Sequence, residues 1–337
     1  MVANNNIKRI IISRTDAIGD VILTLPICGI IKNKFPDAKI IYLGRTYTES
    51  VIKCCEYVDE FFNADIILEM EEGDAIAELK NKNANYFIHV FPNKKLASFA
   101  KKAGIKNRVG TTNRLFHWGK VNNLIWLSRK KSSLHESQLN CKLLRPLGIK
   151  NIPAIEELAE FTGFSKLPLL EKKYQSLADQ SKKTLVLHPK SSGSAREWSL
   201  ENYKSLIDII PANRFNVFIS GTNKERVSLT DWIKTLPSHV HDITGKFDLE
   251  QFIAFISRAD YLVAASTGPL HIASACGIGA IGLYPPIKPM HPGRWKPIGQ
   301  NARYVCIDKS CHTCQKKNQN CTCINEISPA QVAALIL

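Results

Sequence analysis

Residues 7–34 decide the fold. They begin with Ile7-Lys8-Arg9-Ile10-Ile11-Ile12-Ser13, turn through Arg14-Thr15-Asp16-Ala17-Ile18, and enter at Gly19-Asp20 an apolar stretch that reaches Lys34. A short Ile-rich run bounded by a polar turn reads as a buried strand of a parallel sheet. The stretch after it reads as one helix, from Gly19 to Lys34, crossing back over that sheet.

Working outward, strands are expected at 39–43, 86–91 and around Val109, with helical stretches between them. A helix from His135 to Leu147 stops near Pro146 and Gly148. Between Lys150 and Gln180 the pattern gives way to Pro153, Pro168 and scattered charges, which puts a domain boundary there, between residues 1–170 and 171–337. The alternation then restarts, with strands at 184–188, 216–220, 261–265 and 280–284 and helices from about 200, 224, 249 and 268. A chain of 337 residues is about twice the usual domain length, which suits two domains. The expected class is α/β, with two Rossmann-like domains facing across a cleft bounded by the carboxyl ends of their strands, where open α/β sheets bind ligands.

An apolar share of 45% and a charged share of 22% are those of an ordinary folded chain. The start MVANNNIKRIIIS lacks the parts of a signal peptide. The longest early apolar run, 21–31, carries Thr24 and Pro26 and is far short of the ~20 residues that span a bilayer, so the expected location is the cytoplasm. Neither half shows GxGxxG after its first strand, and no GxxxxGK[ST] loop is present, which argues against an ordinary nicotinamide enzyme or P-loop ATPase.

Net charge is +15, and its distribution matters more than its sum: from Lys80 to His135 there are thirteen Lys and Arg and no Asp or Glu. Such a segment is either a solvated face or a field for an anionic substrate or membrane surface. It carries no nucleic-acid-binding motif.

Three turns at strand ends carry the chemistry. Asp20 falls near a helix start, where the dipole would hold its carboxylate ionised and Gly19 would allow a tight turn. Taken alone an Asp here is a helix cap, and Asp16 competes with it as a base. In the second half, Ser266-Thr267-Gly268-Pro269-Leu270-His271 passes from strand into helix and offers amides and hydroxyls to a phosphate, or else an ordinary Thr cap. The segment from His188 to Arg196, with Ser191 and Ser192, adds hydroxyls and a cation at the same edge. Glu225, at the start of the helix after strand 216–220, is placed either to accept from a ribose or to complement the helix dipole.

In combination these segments resemble the ADP-heptose:lipopolysaccharide heptosyltransferases, glycosyltransferase family 9. The resemblance runs through SRTDAIGDVILTLP, HESQLNCKLLRPLG, HPKSSGSAREWSLENY, ISGTNKER, ITGKFDLEQF and STGPLHIASACG with GLYPP, in that order and over nearly the whole chain. It implies a GT-B architecture with the acceptor on the N-terminal domain and the nucleotide-sugar on the C-terminal one. It also implies an inverting, metal-independent transfer with Asp20 as general base.

By matching position, Arg196 meets the donor phosphates, Glu225 the ribose and Phe247 the adenine, and Ser191 and Ser192 beside Arg196 are donor-binding candidates through their hydroxyls. Ser266, Thr267, Gly268 and His271 form the donor turn. Ser266 departs from the Asp that several members carry there, and a hydroxyl cannot supply that charge. The implied donor is ADP-heptose and the implied acceptor is the lipopolysaccharide inner core, at the inner face of the cytoplasmic membrane. Acceptor-binding residues are sought between Lys80 and His135. The alternatives are another nucleotide-sugar, or a non-catalytic nucleotide- or glycan-binding protein of the same fold.

Of the ten cysteines, Cys28, Cys54, Cys55, Cys141 and Cys276 lie in or near apolar runs and read as packing residues. The segment 306–323 differs. Cys311, Cys314, Cys321 and Cys323 stand within thirteen residues, with Cys306 and His312 nearby, a spacing that suits structural zinc although the second pair is tighter than usual. Packed reduced thiols or a disulfide are the other readings. No cofactor is expected to be required for the reaction.

Overall fold

The computed structural model describes residues 7–129, 132–288, 290–309, 311 and 321–337. The chain divides into two compact units, Met1–Lys166 and Leu167–Leu337. Each contains one six-stranded parallel sheet.

In the first unit the strands are β1 (Arg9–Ser13), β2 (Lys39–Gly44), β3 (Glu60–Asn63), β4 (Tyr86–His89), β5 (Asn107–Thr111) and β6 (Asn123–Ile125), in the order β3-β2-β1-β4-β5-β6. The second unit has β7 (Lys183–His188), β8 (Phe215–Ile219), β9 (Val240–Asp242), β10 (Tyr261–Ala265), β11 (Gly279–Tyr284) and β12 (Ala302–Cys306), in the order β12-β11-β10-β7-β8-β9. Read from its own first strand, each sheet runs 3-2-1-4-5-6. The strand order therefore reverses between β1 and β4 in one sheet and between β7 and β10 in the other, the switch points where such sheets bind ligands.

The central strands are apolar on both faces because helices cover both. Ile10, Ile11 and Ile12 are wholly buried, each burial contributing about 2 kcal/mol relative to exposure. One core packs Ile11, Ile41, Leu43 and Phe87 under Leu96 and Phe99 of the helix Lys94–Lys102. The other gathers Leu187, Val217 and Val263 with Trp198, Tyr203 and the C-terminal Ile327, Val332 and Ile336.

The edge strands β3, β6, β9 and β12 lie outside the strands read from the sequence. At three to five residues, and only partly buried, they have too short an apolar signal to stand out.

The single helix expected from Gly19 to Lys34 is two, Ile18–Ile22 and Pro26–Lys34. Pro26 lacks an N–H and so begins the second helix rather than continuing the first. Likewise the helix expected at 135–147 is Glu136–Cys141 followed by a tighter 3-10 turn, Lys142–Leu147, that contains Pro146. Among the described residues no helix is long and apolar enough to cross a membrane.

Candidate active site

At the first switch point the Ser13 carbonyl accepts the amides of Val90 and Phe91, just past β4, while the Arg14 amide donates to Leu43 of β2. The chain leaves β1 where its neighbours diverge, and Arg14 turns inward. Its guanidinium is buried among three carboxylates. Nε donates to Asp16 Oδ1 at 2.6 Å, Nη1 to Glu136 Oε1 at 3.1 Å, and Nη2 to Asp20 Oδ1. Burial, the largest effect, works against the cation, yet the three carboxylates together hold Arg14 more firmly protonated than usual.

Glu136 is wholly buried and is held a second time by Arg129 Nε at 2.8 Å, while Arg129 Nη2 reaches Asn140 Oδ1 at 2.9 Å. The segment HESQLN builds this support. A capping box at His135 starts the helix, and Ser137 Oγ and Asn140 Nδ2 both donate to the Leu23 carbonyl, at 2.7 and 3.2 Å. They thereby fasten the break between the two helices that follow Asp20.

Asp20 does not cap its helix. The cap position is Ala17, with no side-chain bond; Gly19 is an ordinary helical residue rather than a turn, and Asp20 projects to Arg14. The expectation that a helix dipole keeps Asp20 ionised is corrected as well. Burial raises its proton affinity above the ordinary aspartate range, Arg14 pulls it back, and the Glu136 charge pushes it up again.

Asp16 is pushed up to about 6, chiefly by burial, against the opposing pull of Arg14. A five-residue helix has a weak dipole, and desolvation outweighs it. Both carboxylates keep about a fifth of their side-chain surface open, so an incoming hydroxyl can reach them.

The second switch point is arranged around a loop and a helix start rather than around a buried arginine. Beyond β7 the chain folds into a loop in which Ser192 and Gly193 both have positive φ, 48° and 82°. Glu197 gathers the loop by accepting from the Ser191 amide and hydroxyl, at 2.9 and 3.0 Å, and from Lys190 Nζ at 2.9 Å. Arg196 lines a pocket of about 310 Å³ together with Ser191, Gly193 and Glu197 of the same loop.

Ser192 Oγ donates to Glu225 Oε1 at 2.8 Å, so the structure brings these two site residues together. Glu225 also forms a capping box with Thr222, accepting from its amide at 2.8 Å and its hydroxyl at 3.0 Å. Burial works against its charge, but the bonds from Thr222 and Ser192 outweigh it and keep the carboxylate below its usual range. His188, buried beside it and bonded to Ser220 Oγ at 3.0 Å, is pushed toward the neutral form.

Beyond β10, Thr267 occupies the cap position of the helix Gly268–Ala275 and makes no capping bond. Its hydroxyl is buried and without a hydrogen-bond partner, and Pro269 stands in the first turn. An eight-residue helix that begins without a side-chain cap and with an unpartnered hydroxyl could take an anion, since a phosphate oxygen can accept from that hydroxyl and from first-turn amides. His271 is buried in the same turn, and the Tyr284 phenol, on which Ser266 acts, donates to the Trp295 carbonyl at 2.7 Å. Phe247 stacks on Phe255 and meets the edge of Tyr174, with centroids 5.1 and 4.6 Å apart.

The segment from Lys80 to His135 is not one surface. His89 in β4 and His117 in the short helix Leu115–Trp118 are buried, and burial pushes both down, His89 to about 3, so neither adds charge at neutral pH. Arg108 is spent on the carbonyls of Lys120 and Ile105. What faces outward is a pocket of about 620 Å³ lined by Lys94, Lys101, Lys102, Lys120, Leu115 and Phe116, with Leu115 91% exposed. Trp118 and Trp126 are also exposed.

Sequence reasoning missed Arg14, Glu136, Arg129 and Glu197. Arg14 stands two residues before Asp16 and six before Asp20, and Glu136 is the first acid after the acid-free segment, the only signals that pointed to them.

The sequence profile of glycosyltransferase family 9 (heptosyltransferase) matches residues 75–325, and the chain belongs to that family: it is a glycosyltransferase. A Haemophilus influenzae protein, provisionally described as a glycosyltransferase, is 27% identical over 89% of each chain. Lipooligosaccharide heptosyltransferase 2 of Campylobacter jejuni is 23% identical over 94% of this chain and 93% of its own. The solved structure of E. coli ADP-heptose lps heptosyltransferase II is similar with a TM-score of 0.73 at 16% identity, covering 98% of this chain and 97% of that one. The fold is GT-B.

Proposed function

We propose that this chain transfers heptose from ADP-L-glycero-D-manno-heptose to the inner core of lipopolysaccharide, with inversion, without a catalytic divalent metal, and with Asp20 as general base. One observation carries the reading: Asp20 is a partly open carboxylate that forgoes helix capping to sit against a buried arginine, with its proton affinity raised.

An ordinary aspartate is a weak base; raised proton affinity makes Asp20 a better acceptor for the proton of the sugar hydroxyl. Arg14, held by Glu136 from behind, keeps the carboxylate in place. On the donor side Arg196 and the uncapped start of Gly268–Ala275 neutralise the diphosphate as it leaves, with Ser191 and Ser192 adding hydroxyls. Glu225 spends one oxygen on Thr222 and shares the other with Ser192, which leaves acceptor capacity for a ribose hydroxyl. The named relatives support the choice of heptose and of a lipopolysaccharide-type acceptor.

The same reading places the protein on the cytoplasmic face of the membrane. Exposed Leu115, Trp118 and Trp126 among lysines have the composition of an interfacial surface, apolar side chains to insert and cations for anionic headgroups. Sedimentation with vesicles tests this: binding should rise with anionic lipid content, and indifference to it would remove the claim.

A second reading, the same reaction with another nucleotide-sugar, rests on Ser266, which offers a hydroxyl where the family resemblance implies a carboxylate. The decisive experiment incubates ADP-, UDP- and GDP-sugars with truncated lipopolysaccharide acceptors and reads the anomeric configuration of the product by NMR. The proposal expects turnover with ADP-heptose alone, inverted, at a rate unchanged by added Mg2+. Turnover with a different donor would replace it.

A further inference from the structure

Cys311, Cys321 and Cys323 converge, with their sulfurs all within 4.8 Å of one another. Cys311 Sγ and Cys321 Sγ are 3.4 Å apart. A disulfide would need about 2.05 Å, whereas two thiolates on one tetrahedral zinc, with Zn–S of about 2.3 Å, lie roughly 3.8 Å apart. Cys323 is buried, and the cluster packs against Ile287 and Ile307. Three soft ligands converge from two separate stretches of chain into an apolar setting.

The placement of this cluster gives it a consequence. Cys321 and Thr322 line the same pocket as Arg196. The residues that follow Cys323 are bolted to the loop that follows Arg196: Asn325 Oδ1 accepts the Ser199 amide at 2.9 Å, its carbonyl accepts Asn202 Nδ2 at 2.9 Å, and the Ile327 carbonyl accepts Trp198 Nε1 at 3.0 Å. A tie that fixes Cys321 and Cys323 therefore fixes one wall of the Arg196 pocket.

We propose that Cys311, Cys321 and Cys323 bind one thiophilic divalent ion, zinc or ferrous iron, and that this ion clamps the C-terminal segment against the Arg196 loop. The ion takes no part in the transfer. Each thiol gives up its proton on binding, so occupancy rises with pH and the bound sulfurs are shielded from thiol reagents. The fourth thiol of the sequence pattern, Cys314, and His312 lie outside the described residues, and the proposal rests on the three sulfurs that converge. The clamp's relevance to the donor rests on the proposed function; the metal site does not.

The test uses the full chain. Elemental analysis of protein purified without added metal should give about one zinc or iron per chain, and shows which. Cys321→Ser and Cys311→Ser, both at partly exposed positions, should each lose it, while Cys28→Ser should keep it. On wild-type protein stripped with a strong chelator, amide exchange of residues 198–202 should quicken about tenfold, and ADP binding should weaken by a smaller factor; both should recover with zinc.

A chain with no bound zinc or iron that also takes up none when either ion is added, or a native mass short by two hydrogens on a Cys311–Cys321 disulfide, overturns the site. Bound metal whose removal leaves exchange at 198–202 unchanged overturns the clamp. Loss of metal and loop order with no ADP binding in either state would count against the donor reading and leave the metal site standing.

Discussion

The two sheets share one strand order and end their first strands in opposite ways. Beyond β1 the chain buries a cation and surrounds it with Asp16, Asp20 and Glu136. Beyond β10 it leaves a helix start without a side-chain cap, and beyond β7 it forms an arginine-bearing loop. The first arrangement stores negative charge under partial burial, which is how a protein makes a carboxylate basic. The second leaves the Thr267 hydroxyl without a partner among the described residues, which makes room for an anion. Topology says where a ligand goes; under the proposed function the side chains at the two switch points divide the reaction between them.

The largest test of that contrast is Asp20→Ala. Turnover should fall about a thousandfold, within the usual range for a general base, while ADP affinity by calorimetry stays as it was. Retained turnover would remove Asp20 from the mechanism. Arg196→Ala should do the reverse, weakening ADP about 10- to 100-fold, as expected for loss of a charged hydrogen bond.

The charge network can be probed from both sides through the acid limb of kcat/KM. Glu136→Gln removes a charge that raises Asp20's proton affinity, so the limb should move to lower pH. Arg14→Gln removes the opposing cation, so it should move to higher pH. Each also breaks a buried ion cluster and should cost about 3 kcal/mol in denaturant unfolding. Shifts in one common direction would mean that the network does not control the base.

Smaller effects separate a true cap from an uncapped start. Thr222→Ala should lower stability by about 1 kcal/mol because its capping box is made. Thr267→Ala should leave stability nearly unchanged, since no capping bond exists to lose, and should weaken ADP instead.

Asp16 makes a final test. Its folded-state value near 6 lies above the ordinary 3.8, so between those pH values the folded chain holds a proton that the unfolded chain has released. Stability from this group declines as pH rises through that window and is flat above it. Asp16→Asn should flatten that part of the pH–stability curve.

Much of this was legible in the amino-acid order. Ile-rich β1 and the runs of β4, β7, β8, β10 and β11 announced two parallel sheets, because strands buried on both faces must be apolar throughout. The edge strands did not, being short and half exposed. Asp20, Thr267 and Arg196 stood out because strand-end turns are where an α/β sheet exposes polar groups. Their environments did not show: whether Asp20 caps a helix or faces an arginine depends on Glu136, which lies 116 positions further along the chain.

By itself the sequence determined the class, the family resemblance and the turns that carry chemistry, because these follow from local periodicity and short motifs. Only the tertiary structure decided that Asp20 is made basic by burial rather than held ionised by a helix, that Glu225 is shared between Thr222 and Ser192, and that three cysteines converge beside the Arg196 pocket. Those outcomes depend on desolvation and on contacts between distant residues, and neither exists until the chain has folded.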